Sequence, residues 1–169
     1  YNLAVAFKNT GKLARSAKHY KRTIELFGNS LERRPLDNFA IHKALADILF
    51  DLGRFREAIN HYRVTVKIKP YNEDAYVNLG VSFASLGNYE EAIKHFSAAL
   101  RIVPNDPEVH YYLGLSYVEL QKHQEAKSQF AKVLQLNPRH SGARGALSRY
   151  SSSRRNSMGA RQWTPPAGK

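Results

Sequence analysis

The sequence has no cysteine, one tryptophan and one methionine, and no acidic residue between 139 and 169. Without cysteine, disulfides, thiolate metal sites and a cysteine nucleophile are excluded, while the compartment stays open because cysteine-free chains occur everywhere. The longest stretch free of charge, Ala75 to Tyr89, is broken by Asn78, Ser82, Ser85 and Asn88 and is too short and too polar to cross a bilayer. No Asn-x-Ser/Thr sequon occurs, which decides nothing about location. The chain opens at Tyr1, inside a helical pattern and with no basic-then-apolar leader, and reads as a piece of something longer.

What is present in excess is positive charge, 26 Lys+Arg against 14 Asp+Glu, for a net +12. Its distribution matters more than its size. Residues 1–38 carry 8 basic and 3 acidic residues, 39–138 carry 11 of each, and 139–169 carry 7 and none, so the middle is neutral and the flanks are basic. A solenoid that tracked a phosphate backbone would spread its basic residues along the repeats.

Self-similarity decides the architecture. Leu45-Ala46-Asp47, Leu79-Gly80-Val81 and Leu113-Gly114-Leu115 recur every 34 residues, as do Ala58, Ala92 and Ala126, then Tyr62, Phe96 and Phe130, then Pro70, Pro104 and Pro138. The spacing predicts three two-helix units, 39–72, 73–106 and 107–140. In each, the small residue after the Leu lets two helices approach, the Ala fills the facing space, and the aromatic four residues beyond it packs inward. Gly53 and Gly87 suit a left-handed turn that ends the first helix, and the Pro ends the second; Glu119-Leu-Gln-Lys-His123 is a degenerate copy of that turn.

This pattern resembles the tetratricopeptide repeat (TPR) family over 39–140. The resemblance implies an all-α, right-handed superhelical solenoid of antiparallel helix pairs, with a concave face lined by the first helix of each unit. Upstream, 1–38 reads as a truncated unit of the same kind, because Leu3-Ala4, Phe7, Gly11-Lys12-Leu13 and Tyr20 fit the template. Leu3 to Leu45 is 42 residues rather than 34, so an elongated second helix of about 20 residues is predicted, ending at Pro35. Residues 141–150 start another unit, with Leu147 in the Leu slot, and are predicted to cap the last apolar face. Residues 151–169 have no apolar period and read as a disordered or extended basic tail.

Register removes most of the chemistry that seven histidines would suggest. His42 and His110 share one slot on the first helix, and His19, His61 and His95 share another on the second. Equivalent slots in adjacent repeats lie roughly one helix spacing apart, about 8–10 Å, whereas imidazoles sharing zinc each need a nitrogen at about 2 Å. No shared metal is expected. Nor is there a phosphate-binding Gly-rich loop, a Gly-x-Ser-x-Gly elbow or a His-Glu-x-x-His pair. Glu90, Glu91, Asp106 and Glu108 stand near helix starts, where capping and the helix dipole account for them. No residue is left to carry catalysis, and neither cofactor nor metal is expected.

The resemblance places the functional surface in the concave groove, and register names its side chains: Lys43, Asp47 and Phe50; Val77, Asn78, Val81 and Ser85; Tyr111, Tyr112, Leu115 and Glu119. These suit an amphipathic helix or an extended peptide with apolar anchors, with Tyr111 and Tyr112 the main energetic candidates. Val77 and Leu115 fit a contact to the neighbouring helix equally well. Co-chaperones of this family grip a C-terminal carboxylate with basic and Asn side chains on successive first helices, and that pattern fails here. Lys43 and Asn78 match, but Asp47 replaces an Asn, and Glu108 and Tyr112 replace basic groups.

A second surface is basic. Arg15, Lys18 and Arg22, with Lys21 beside them, form a stripe on the outer face of the long second helix. Arg154, Arg155 and Arg161 stand in the tail, where Trp163, beside Pro165-Pro166, is a candidate docking anchor. The sequence therefore reads as a non-enzymatic adaptor that holds a protein partner in its groove and joins a larger intracellular multi-subunit complex through its basic ends. Two alternatives stay open: an RNA- or ribosome-associated adaptor using the basic flanks, and the recognition segment of a longer enzyme.

Overall fold

A computed structural model describes residues 2–9, 11–32 and 35–149, and every regular element among them is helical. They fall into two compact units, one up to Pro104 and one from Asn105. The first holds α1 (Asn2–Asn9), α2 (Leu13–Glu32), α3 (Pro35–Asp51), α4 (Phe55–Ile68), α5 (Glu73–Ser85) and α6 (Tyr89–Ile102). Successive helices form the antiparallel pairs α1/α2, α3/α4 and α5/α6, with α2 also packed on α3 and α4 on α5. The second unit holds α7 (Pro107–Glu119), α8 (His123–Leu136) and a further helical segment at 141–149.

The turn within each pair has one geometry. Gly11, Gly53 and Gly87 take φ of +71, +70 and +78°, in the left-handed region that glycine enters without steric cost. Around Gly53, the residue's own N–H reaches Phe50 O at 2.8 Å and the next N–H, of Arg54, reaches Leu49 O at 2.8 Å, so two end-of-helix carbonyls gain partners. The degenerate copy keeps this wiring with Gln121 at φ +57° and bonds from Gln121 and Lys122 to Val118 and Tyr117. A side chain in that conformation costs roughly 1 kcal/mol, which packing of α7 on α8 offsets. Entry to the next helix is capped: Asn72 Oδ1 accepts from Ala75 N at 3.0 Å, and Asp106 Oδ1 accepts from Glu108 N at 2.8 Å and Val109 N at 3.1 Å.

Repeat slots become core. Ala58, Ala92 and Ala126 are fully buried, as are Tyr62, Phe96 and Phe130 one turn on. The small residue on the facing helix is sterically required in two units: a Cβ on Gly80 would lie 2.5 Å from Phe96 Cε1, and one on Gly114 would lie 2.6 Å from Phe130 Cε1. Each buried aromatic removes enough apolar area from water to stabilise its pair by about 2–3 kcal/mol.

The longer first spacing is resolved differently from the sequence expectation. The helix α2 does run 20 residues against 14 for α4, but α3 is lengthened too, to 17 residues against 13 for α5. Pro35 opens α3, where its fixed φ and missing N–H suit a first helical position. In the second unit, segment 141–149 buries Ala143 against Ala126, Phe130 and Val133, with Leu147 at the edge of that cluster. The tail 151–169, with Arg154, Arg155, Arg161 and Trp163, lies outside the described residues.

Candidate functional site

In the first unit the residues expected to line the groove lie on α3 and α5, which touch one another beside α4. Lys43, Asp47 and Asn78 among them are joined by a polar chain that the sequence did not reveal. Lys43 Nζ is 3.0 Å from Asp47 Oδ2; Tyr62 Oη, from α4, donates to Asp47 Oδ1 at 2.9 Å; and Asn78 Nδ2 donates to the Tyr62 hydroxyl at 3.0 Å. Tyr62 is fully buried, and burial first, then the Asp47 carboxylate, push its phenol upward, so it stays a neutral donor. Three helices are thereby fixed in register, and the two side chains that match a carboxylate-gripping pattern already have intramolecular partners.

Around that chain the surface is apolar. Val77 and Val81 are half-buried on α5, with Ser85 exposed at its end. Phe50 is half-buried and meets Phe55, the first residue of α4, edge to face at 5.5 Å between ring centres, which gives it a packing role as well.

In the second unit, Leu115 and Glu119 are exposed on α7, while Tyr111 and Tyr112 are half-buried. The two tyrosines do different things. Tyr111 packs on Phe130 at 5.8 Å and on His140 at 4.6 Å between ring centres, and its hydroxyl closes over Gly142, where an added Cβ would lie 2.5 Å away. It is a clamp for segment 141–149, a structural task that the groove assignment did not include. Tyr112 lies beside it with ring centres 6.3 Å apart.

Histidine pairing follows a rule missed in the sequence. The slots that meet belong to one repeat and not to adjacent ones, and lie 19 residues apart. His42 Nδ1 and His61 Nδ1 are 2.9 Å apart, Tyr76 and His95 have ring centres 6.2 Å apart, and His110 Nδ1 is 2.7 Å from Gln129 Oε1. Aligning the first-helix slot with the second-helix slot of the same unit would have found the pair. Burial lowers the pKa of His42, and burial, then the His42 and Lys21 charges, lower that of His61 to about 4, so both imidazoles are neutral at pH 7. No cluster of three or more metal-ligating side chains exists among the described residues.

The basic stripe is partly engaged. Arg15 lies over the Phe7 ring at 5.9 Å; Arg22 pairs with Glu25 at 3.1 Å; and Lys21 reaches Glu57 on α4 at 2.5 Å, where Arg54 also pairs at 2.5 Å. Lys21 donating to it holds Glu57 below the usual carboxylate range. Lys18 is exposed and makes no ion pair among the described residues.

Comparison with known proteins agrees with the repeat. A TPR repeat model matches residues 46–87 and 80–121, and a tetratricopeptide repeat model matches 107–140, the third unit itself. Together they cover 46–140, more than half of the chain. The chain belongs to the tetratricopeptide repeat family. Among solved structures, this TPR chain is similar to MamA MSR-1, at 27% identity and TM-score 0.72 over 81% of this chain and 74% of that one. A second MamA crystal structure gives 18% identity and TM-score 0.81 over 91% and 85%. The first TPR of Spaghetti (RPAP3), bound to the HSP90 peptide SRMEEVD, gives 24% and 0.65 over 69% and 93%. No curated protein sequence matches the chain. The matching models describe a repeat and not a catalytic domain, and the fold class is the all-α TPR solenoid type, a protein-interaction module. No helix among the described residues is long and apolar enough to cross a membrane.

Proposed function

We propose that this TPR chain is an interaction scaffold that binds a peptide or helix of a partner protein on its first-helix surfaces, and that its basic ends anchor it in a larger assembly. The observation that carries the reading is an inequality between helices. The second helices α4, α6 and α8 separate apolar from polar faces sharply, whereas α3, α5 and α7 are more apolar and spread that character around their circumference. A helix apolar on several sides is suited to packing on more than one. Packing on α6, α4 and α3 takes up part of the apolar surface of α5 and leaves Val77 and Val81 half-buried, and on α7 Leu115 stays 38% exposed, so apolar surface remains for a partner.

The RPAP3 domain is bound to the HSP90 peptide SRMEEVD. A grip on a terminal carboxylate is disfavoured in this chain, because Lys43 is paired with Asp47 and Asn78 with Tyr62. Apolar anchors suit this surface better than a terminal carboxylate does.

Cross-linking mass spectrometry on a pull-down from native extract tests the reading. Links from one protein are expected to cluster around Lys43, to persist at high salt, and to vanish with Val81→Glu while helicity is unchanged. Release of the bait from large particles by nuclease, with no protein links, would overturn it.

A further inference from the structure

We propose that the outer pocket between α2 and the start of α4 is a second docking site, and that its occupant is an acidic segment of a partner protein. The proposal deepens the anchoring half of the scaffold reading, on which it rests, and makes no use of the first-helix surface.

An open pocket of about 610 Å³ lies here, lined by Ala14, Ala17 and His19 together with Lys18, Lys21, Arg22 and Arg54, with Glu25 as its one acid. The ion pairs do not neutralise it. Arg22 is matched by Glu25, but Lys21 and Arg54 share the single carboxylate of Glu57, and Lys18 has none, so four cations face two anions for a net +2. Arg54 is also the residue from which α4 begins, so the positive end of that helix adds to the field. The small side chains of Ala14 and Ala17 let a backbone approach the cations. Beyond Arg22, on the next turn of the same face, Leu26 is 58% exposed and offers an apolar contact next to the charges. Carboxylates with an apolar neighbour complement this arrangement, and exchange of Glu57 for an incoming carboxylate supplies Lys21 and Arg54 with a partner in either state.

The test is fluorescence anisotropy with the full chain and a fluorescein-labelled octaglutamate peptide, followed by carbodiimide cross-linking to locate the peptide. Cross-links are expected at Lys18 and Lys21, and the double change Lys18→Glu with Arg22→Glu is expected to weaken binding about tenfold. Glu57→Gln frees two cations and is expected to tighten it several-fold, an increase that nonspecific attraction to the basic tail does not predict. Val81→Glu leaves the probe bound, so a failed first-helix reading and a failed pocket are told apart. Cross-links confined to Lys169, affinity indifferent to both pocket variants, or tighter binding of a single-stranded RNA oligomer lost with the same variants would each overturn the proposal. These side chains are surface-exposed or half-exposed, and circular dichroism verifies that the variants stay folded.

Discussion

The hydroxyl of Tyr62 donates to Asp47 Oδ1 at 2.9 Å and accepts from Asn78 Nδ2 at 3.0 Å, so one buried phenol ties α4 to both α3 and α5. Tyr62→Phe removes both bonds while keeping the ring that fills the core. Asp47 and Asn78 are partly exposed, so water replaces what they lose, and the expected cost is about 1 kcal/mol in urea unfolding. On an Asp47→Ala background the same change should cost less, because one of the two bonds is already gone. Strict additivity would show that the chain does not act as a unit.

Close approach of helices gives a second expectation. Gly80→Ala forces its new methyl into Phe96 and should destabilise by roughly 1–3 kcal/mol despite the better helix propensity of Ala. Phe96→Leu on that background relieves the overlap, so the double variant should be more stable than the sum of the two singles implies. Thermal unfolding of the four proteins measures the coupling.

The repeat, its turns and its buried slots were legible because each follows from local geometry repeated every 34 residues. Gly53 and Gly87 announced left-handed turns, and Ala92 with Phe96 announced a packed face. Less legible was what depends on a partner side chain elsewhere. Nothing local says that Asp47 meets Tyr62, or that His42 meets His61, since each pair lies on two different helices. Tyr111 reads as a groove anchor from its repeat slot, yet its ring meets Phe130 and His140 and its hydroxyl lies over Gly142, on a helical segment outside its own repeat. Gln121 takes a glycine conformation because the hairpin imposes it, and the side chain itself gives no sign.

Acid sensitivity follows from the imidazole pair. An unfolded histidine titrates near 6.5, whereas His61 in the fold titrates at about 4, and burial lowers His42 and His95 as well. Between those values the unfolded chain binds more protons, so stability is fully present above about pH 6.5 and falls as pH drops towards 4. The groups that face the pair are Lys21 from α2 and Glu57 from α4, of opposite sign. Because both rings are only half-buried, solvent screening reduces the loss assignable to His61 to roughly 1–2 kcal/mol. The third repeat provides the control, since His110 meets Gln129 in the equivalent place. His61→Gln should leave stability at pH 7.5 within about 1 kcal/mol and flatten part of the slope between pH 6.5 and 4, with His42 and His95 supplying the remainder. Denaturant midpoints across that range decide it, and an unchanged slope would remove the pair from the account.

The two tyrosines of α7 separate stability from binding. Tyr111 touches Phe130 and His140 and covers the Gly142 backbone, so Tyr111→Ala opens a void beneath segment 141–149 and should cost about 2–4 kcal/mol. Gly142→Ala should mimic part of that loss, because its methyl and the Tyr111 hydroxyl claim one space. Tyr112 lies beside Tyr111 and is half-buried, with no glycine backbone beneath its hydroxyl as Tyr111 has at Gly142, so Tyr112→Ala should cost less stability while weakening a groove-bound partner tenfold or more, as a hot-spot aromatic does. Hydrogen exchange would show faster opening of 141–149 in the first variant and not in the second. Equal losses of stability at both positions would mean that Tyr112 is core as well, and the binding surface of the second unit would then reduce to Leu115 and Glu119.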